Sequence, residues 1–196
     1  KIQEGEILLG GRNITEYSEK FLSQHIAFVF QNTKLWKKTI FENVKVGRED
    51  ASYEEVMEAL KKAQCEDILN KFEAREHTLI GSKGVYLSGG EIQRIAIARA
   101  ILKSADIIIL DEASAAADPE NEYELQQAFS NLMKEKTVIM IAHRLSSIRN
   151  VDEILVIDRG SIVERGNHKE LMKKNARYAE LQKFFSQAND WRIAND

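Results

Sequence analysis

With 196 residues, 43% of them hydrophobic and 30% charged, the chain has the composition of one packed domain, or of one domain with a sizeable insertion. Twenty-eight Lys and Arg against 31 Asp and Glu leave a net charge of −3, which argues against a nucleic-acid binder working through bulk positive charge. The longest apolar runs, Ile26–Phe30 and Val138–Ala142, are five residues where a membrane helix needs about 20; one cysteine, Cys65, excludes an internal disulfide and a cysteine-based zinc site and fits a reduced, cytosolic setting.

The chain opens KIQEGEILL, with no Met and no signal or transit peptide, which is expected of a piece of a longer protein. Glu6 to Leu9 reads as a short strand closed by the Gly10-Gly11 turn. Ser18 to Gln24 reads as a short helix and His25 to Phe30 as a buried strand. From about Ser52 to about Lys71 the pattern is helical, with Val56, Leu60 and Ala63 on one face and Glu54 and Glu55 at the start, where the helix dipole favours them. Four of the ten glycines lie within Gly81–Gly90, a loop whose backbone needs conformations a Cβ forbids. Glu91 to about Lys103 follows as a helix, apolar nearly all round (Ile92, Ile95, Ala96, Ile97, Ala100, Ile101) and therefore expected to be buried.

The second half alternates. Ile107–Leu110 reads as a strand, Glu120 to about Lys134 as a helix, Thr137–Ala142 as a strand and Leu145–Arg149 as a short helix. Ile154–Asp158 and Ser161–Glu164 form a hairpin around Arg159-Gly160, followed by helices near His168–Lys174 and Ala176–Ala188. Alternating strands and helices predict a mainly parallel sheet covered on both faces.

Three apolar runs end at polar residues: Ile26–Phe30 at Gln31, Ile107–Leu110 at Asp111-Glu112, and Val138–Ala142 at His143. Ligands of open parallel sheets bind at the carboxyl ends of strands. If these strands are neighbours, an amide, two carboxylates and an imidazole converge, a set suited to a magnesium-bound phosphate ester and an attacking water. Alone, each residue has a plain structural reading: an Asp in a turn, a His that only supports the fold. The glycine turn adds an independent signal. Ser88 and Glu91 have the S-x-x-E spacing of a capping box, and Gly89-Gly90 at a helix start also makes an anion seat. The two readings compete for the Ser88 hydroxyl.

These motifs resemble the nucleotide-binding domain of ATP-binding-cassette (ABC) exporters. LSGGEIQRIAIARAI resembles the family signature, IIILDEASAAAD the Walker B strand with catalytic glutamate and D-loop, AFVFQN the Q-loop, and VIMIAHRLS the switch-histidine segment. KTIFENV, IDRGSIVERGNHKELM and YAEL also resemble exporter cassettes, in the family's order, across essentially the whole chain. The resemblance implies an α/β fold: a P-loop NTPase (RecA-like) core with a mostly parallel sheet, residues 1–31 and 104–196, its N-terminal part missing, plus an inserted all-α subdomain, residues 32–103.

It also implies roles. Asp111 would hold Mg2+ through water, and Glu112 would act as general base on the attacking water. His143 would contact the γ-phosphate; Gln31 would touch Mg2+ and relay nucleotide state. Ser88, Gly89, Gly90 and Glu91 would bind ATP held by a partner cassette, and Asp118 would cross the dimer interface. The implied cofactors are ATP and Mg2+. The implied partners are a second nucleotide-binding domain, in a homo- or heterodimer, and the transporter's transmembrane domain, with Trp36 and Phe41 as candidate contacts and no nucleic acid. Trp36 reads equally well as a core residue. The implied location is the cytosolic face of the cell membrane, as a peripheral domain.

Three positions and one absence depart from the pattern. Glu91 stands where the family usually has Gln, Leu79 where exporters often have Glu, and Ala117 where Leu is common in the D-loop. No G-x-x-x-x-G-K-[ST] phosphate loop occurs in the 196 residues; the family places it ahead of the point where this chain opens. Phosphoryl transfer is mostly positioning, so the segment alone is expected neither to bind ATP tightly nor to hydrolyse it, and to expose aggregation-prone strand edges. Two other readings stand beside the exporter module: a soluble ABC ATPase acting on DNA or ribosomes, and a non-hydrolysing half of a heterodimeric transporter. The presence of Glu112 and His143 counts against the last.

Overall fold

The computed structural model describes residues 4–30, 33–81, 84–111, 119–142 and 148–184. The chain divides into two units, Lys1–Ile141 and Ala142–Asp196.

The first unit opens with a two-residue hairpin, β1 (Leu8–Leu9) paired with β2 (Arg12–Asn13) across the Gly10-Gly11 turn. Helix α1 (Glu19–His25) is capped by Ser18, whose hydroxyl accepts from the Phe21 N–H, and runs into strand β3 (Ile26–Phe30). Helices α2 (Ile40–Lys45), α3 (Tyr53–Lys62), α4 (Glu66–Asn70) and α5 (Gly89–Lys103) follow, then β4 (Ile107–Asp111), α6 (Pro119–Met133) and β5 (Thr137–Ile141). Helices α2, α3 and α5 each start with a complete capping box, Thr39/Glu42, Ser52/Glu55 and Ser88/Glu91, which satisfies amides the helix itself cannot.

The single helix expected over 52–71 is two helices. Gln64 takes a left-handed φ of +57°, the Cys65 N–H bonds to the Leu60 carbonyl and the Gln64 N–H to that of Lys61. That is a Schellman ending, usually built on glycine. Here Gln64 takes the position, so the sequence carries no glycine to announce the break. The Arg94 guanidinium, reaching from α5, donates to the Gln64 carbonyl and holds the turn.

Helix α5 is the spine of this unit. It is buried on almost all sides, as its sequence predicts, and packs against α2, α3, α6 and β3. The approach to α2 is close: a Cβ on Gly47, just past that helix, would lie 2.3 Å from the Arg99 carbonyl oxygen, so only glycine fits. Asn43, fully buried on α2, bonds to the backbone of Trp36 and Thr39, and its own carbonyl accepts from Arg99.

Strands β3, β4 and β5 form a parallel sheet in that order, with Phe30, Asp111 and Ile141 opposite one another at the carboxyl end. The condition set on these three strands, that they be neighbours, is met. The expected cover on both faces is not found among the described residues. Ala27, Val29, Ile108 and Leu110 are buried in the main core with side chains of α3, α5 and α6. On the other face Phe28, Phe30, Ile139 and Ile141 are each more than half exposed. A period of two sends alternate residues to opposite faces, and α5 and α6 add their apolar side chains to one core. The strand expected to be buried throughout is thus buried on one side only.

The second unit is built on the hairpin of β6 (Ile154–Asp158) and β7 (Ser161–Gly166), closed at Arg159 and Gly160, whose φ values of +48° and +79° suit the right-handed twist of two paired strands. Helix α7 (His168–Lys174), capped by Asn167, and a helix over 177–184 follow. Ile154, Val156, Leu171 and Tyr178 form its core. The short helix expected over 145–149 falls largely on 143–147, and the end of the last helix beyond 184; both lie outside the described residues.

Candidate functional site

The strand ends supply one half of the candidate site. Parallel pairing in register puts the carboxyl ends of β3, β4 and β5 on one rim. Asp111 is the last residue of the central strand and half-buried there. A carboxylate at a sheet rim, partly open to solvent, suits Mg2+, which keeps most of its waters and takes one or two carboxylates. Among the described residues there is no group of three or more His, Cys, Asp or Glu able to hold a metal as an all-protein cage. Gln31, Glu112, Asp118 and His143, the other residues expected at this rim, lie outside the described residues.

The signature turn supplies the other half, and all four of its residues are described. Ser88 is the N-cap of α5. Its hydroxyl oxygen accepts from the Glu91 N–H at 3.3 Å, and its own N–H donates to Glu91 Oε2 at 2.7 Å. The Ile92 N–H bonds back to the Ser88 carbonyl. Helix geometry gives the amides of Gly89 and Gly90 no partner within α5. They open a 15-residue helix whose dipole favours an anion at this end. The two readings of Ser88 turn out to be compatible. The cap uses an oxygen lone pair and leaves the hydroxyl hydrogen free to donate.

The Glu91 side chain is only 6% exposed, and its second oxygen accepts from the ammonium of Lys71 at the end of α4. Burial alone would raise this carboxyl's pKa; Lys71 and the Ser88 backbone outweigh it and hold the pKa below the ordinary glutamate value. Arg94, three residues on and fully buried, forms a two-pronged pair with Asp67 at 2.7 and 2.8 Å. Burial works against the Asp67 carboxylate too, and the Arg94 guanidinium reverses it, leaving its pKa lowered. Sequence reasoning missed Lys71, Asp67 and the role of Arg94. A Glu in the usual Gln place does call for a nearby cation, but nothing in the spacing says that it comes from 20 residues upstream.

Trp36 is half exposed, with the Arg99 guanidinium 4.4 Å from its ring centre; Phe41 is half-buried, stacked on Tyr53 and packed against the main core. Arg99 also lines a groove of about 910 Å³, together with Phe28, Phe30, Lys34, Arg48 and Lys103, among others. Leu79, at the position where exporters often have Glu, is exposed.

Comparison with known proteins identifies the family. The family model described as ABC transporter matches residues 1–115, more than half of the chain, and the chain belongs to that family. It is 48% identical over 183 residues to the ATP-dependent lipid A-core flippase of Pectobacterium atrosepticum, and 47% over 184 residues to that of Vibrio parahaemolyticus; each match covers 93% of this chain and 31% of the relative. It is 46% identical over 179 residues to the Beta-(1-->2)glucan export ATP-binding/permease protein NdvA of Rhizobium johnstonii, covering 91% of this chain and 30% of that protein. The chain thus spans about a third of the length of the curated relatives it matches.

Proposed function

We propose that this chain is the ATP-binding and ATP-hydrolysing module of an ABC exporter, working as a head-to-tail pair of cassettes. The observation that carries this reading is the joint occurrence of a capped double-glycine turn at the head of a buried helix and a parallel sheet whose three apolar strands end together on one rim. The relatives named as flippase and glucan exporter support transport as the process powered.

In the proposed mechanism ATP supplies the phosphoryl group and Mg2+ its charge neutralisation, and the chain's residues position both. Asp111, at the end of β4, would hold Mg2+ through water, and Gln31 would touch the same ion. Glu112 takes a proton from the attacking water, and His143 holds the γ-phosphate side. Ser88 and the Gly89 and Gly90 amides bind the γ-phosphate of ATP carried by the partner cassette, with Asp118 at the interface. A site shared between two cassettes turns over only when both are closed, which couples nucleotide state to the attached membrane domain. Loops of that domain would dock near Trp36 and Phe41, with the module a peripheral domain at the cytosolic face of the membrane.

Glu112→Gln in the full-length protein tests the reading. It is expected to abolish steady-state ATP hydrolysis while ATP still drives the cassettes together. An unchanged hydrolysis rate would remove Glu112 from the chemistry.

A further inference from the structure

If the signature turn binds a phosphate, as proposed, the Glu91 carboxylate needs a counter-charge. A carboxylate stands one residue past the two glycine amides that are to receive a phosphate, and the phosphate is itself strongly negative. Like charges in a partly buried setting repel far more than in water. The capping box does not require the charge, since a Gln in the third helical position closes the same box.

The structure shows what offsets it. Lys71, the C-cap residue of α4, reaches across to Glu91 Oε1, while the Ser88 N–H holds Oε2. Both carboxylate oxygens are thereby engaged, and the side chain is folded back into the turn with 6% of it exposed, whereas Lys71 remains 52% exposed. The other cation on the same helix turn, Arg94, is engaged with Asp67 and the Gln64 carbonyl. We propose that Lys71 is a positioning residue of the nucleotide site: its ammonium holds and neutralises the Glu91 carboxylate, which is folded into the turn that carries the Gly89 and Gly90 amides. Lys71 itself touches no nucleotide. It sets how strongly the turn discriminates a terminal γ-phosphate.

The proposal separates from a purely structural clip. A clip that only holds α4 to α5 would, when cut, weaken every nucleotide alike and lower the melting temperature in proportion. A counter-charge, when removed, selects against the more negative ligand and matters only while Glu91 is charged. The test uses the full-length protein, with equilibrium binding of ATP and of ADP measured for wild type, Lys71→Met, Lys71→Arg, Glu91→Gln and the Lys71→Met/Glu91→Gln double variant. Thermal unfolding checks that each variant is folded; Lys71 is half exposed, so Lys71→Met is expected to fold.

Lys71→Met is expected to weaken ATP binding roughly tenfold and ADP binding by much less, with Lys71→Arg close to wild type. In the Glu91→Gln background the same Lys71→Met change is expected to have no further effect. Equal losses for ATP and ADP, no loss at all, or an undiminished Lys71→Met effect beside Gln would overturn the proposal while leaving the cassette reading intact. Absence of ATP binding by the wild-type protein would overturn both.

Discussion

The two faces of the β3–β4–β5 sheet are unlike each other among the described residues. One face shares a core with α3, α5 and α6 and buries Ala27, Val29, Ile108 and Leu110 almost completely. The other carries Phe28, Phe30, Ile139 and Ile141, each more than half exposed. Side chains of the same chemistry, one residue apart on the same strand, therefore have opposite energetic weight. Apolar composition alone does not reveal which of them hold the fold; the helices that meet them do. The same contrast separates the halves of the site. The signature turn sits on the covered side, braced by Lys71, Asp67 and the α3–α4 turn. The rim is defined through the register of three strands.

The largest expected effects lie in the covered side. Arg94→Met removes a fully buried guanidinium and leaves the half-exposed Asp67 carboxylate and the Gln64 carbonyl without their cation, a loss of charged hydrogen bonds that should cost about 1.5–3 kcal/mol; pulse proteolysis in urea should show it. Ile108→Ala, on the covered face, should cost about 2–5 kcal/mol by the same assay, while Ile139→Ala on the open face should stay within about 1 kcal/mol. Similar losses at both positions would mean that the open face is covered in the full-length protein, and would redraw the comparison. Ser88→Ala should cost about 1 kcal/mol through the lost cap. If the hydroxyl also donates to a phosphate, it should lower ATP affinity as well.

Acid should loosen the signature side in a defined direction. The Glu91 carboxyl has a pKa lowered from 4.5 on folding, so its contribution is fully present above that value and is lost as the pH falls through the lower, folded-state pKa. Unfolding midpoints followed below neutral pH should decline there, and less in Glu91→Gln. The smallest effect is chemical. Burial raises the pKa of the Cys65 thiol to about 12 and leaves none of it exposed, so a thiol reagent should label it only on unfolding.

Much of this was legible from the residues alone. The three strands, the Gly10-Gly11 and Arg159-Gly160 turns, the buried α5 and its Ser88/Glu91 cap all follow from period, glycine placement and cap spacing, whereas the adjacency of the strands entered only as a condition. The same cap spacing recurs at Thr39/Glu42, Ser52/Glu55 and Asn167/Glu170, where it is equally legible. The break at Gln64 was not legible, because a left-handed residue other than glycine is dictated by what accepts and donates around it, here Arg94. The bare sheet face was not legible either, since a run such as Ile26–Phe30 reads the same whether one face or both are packed. The partner of Glu91 depends on a contact between two helices that no periodicity encodes.

The claim on which the rest depends is that the turn at Ser88, Gly89 and Gly90 receives a nucleotide. Amide hydrogen exchange at Gly89 and Gly90, measured in the full-length protein carrying Glu112→Gln, tests it most directly. The account predicts marked slowing with ATP and Mg2+ and little change with ADP. Exchange at those two amides that stays the same with and without ATP, while the protein demonstrably binds it, would contradict the account.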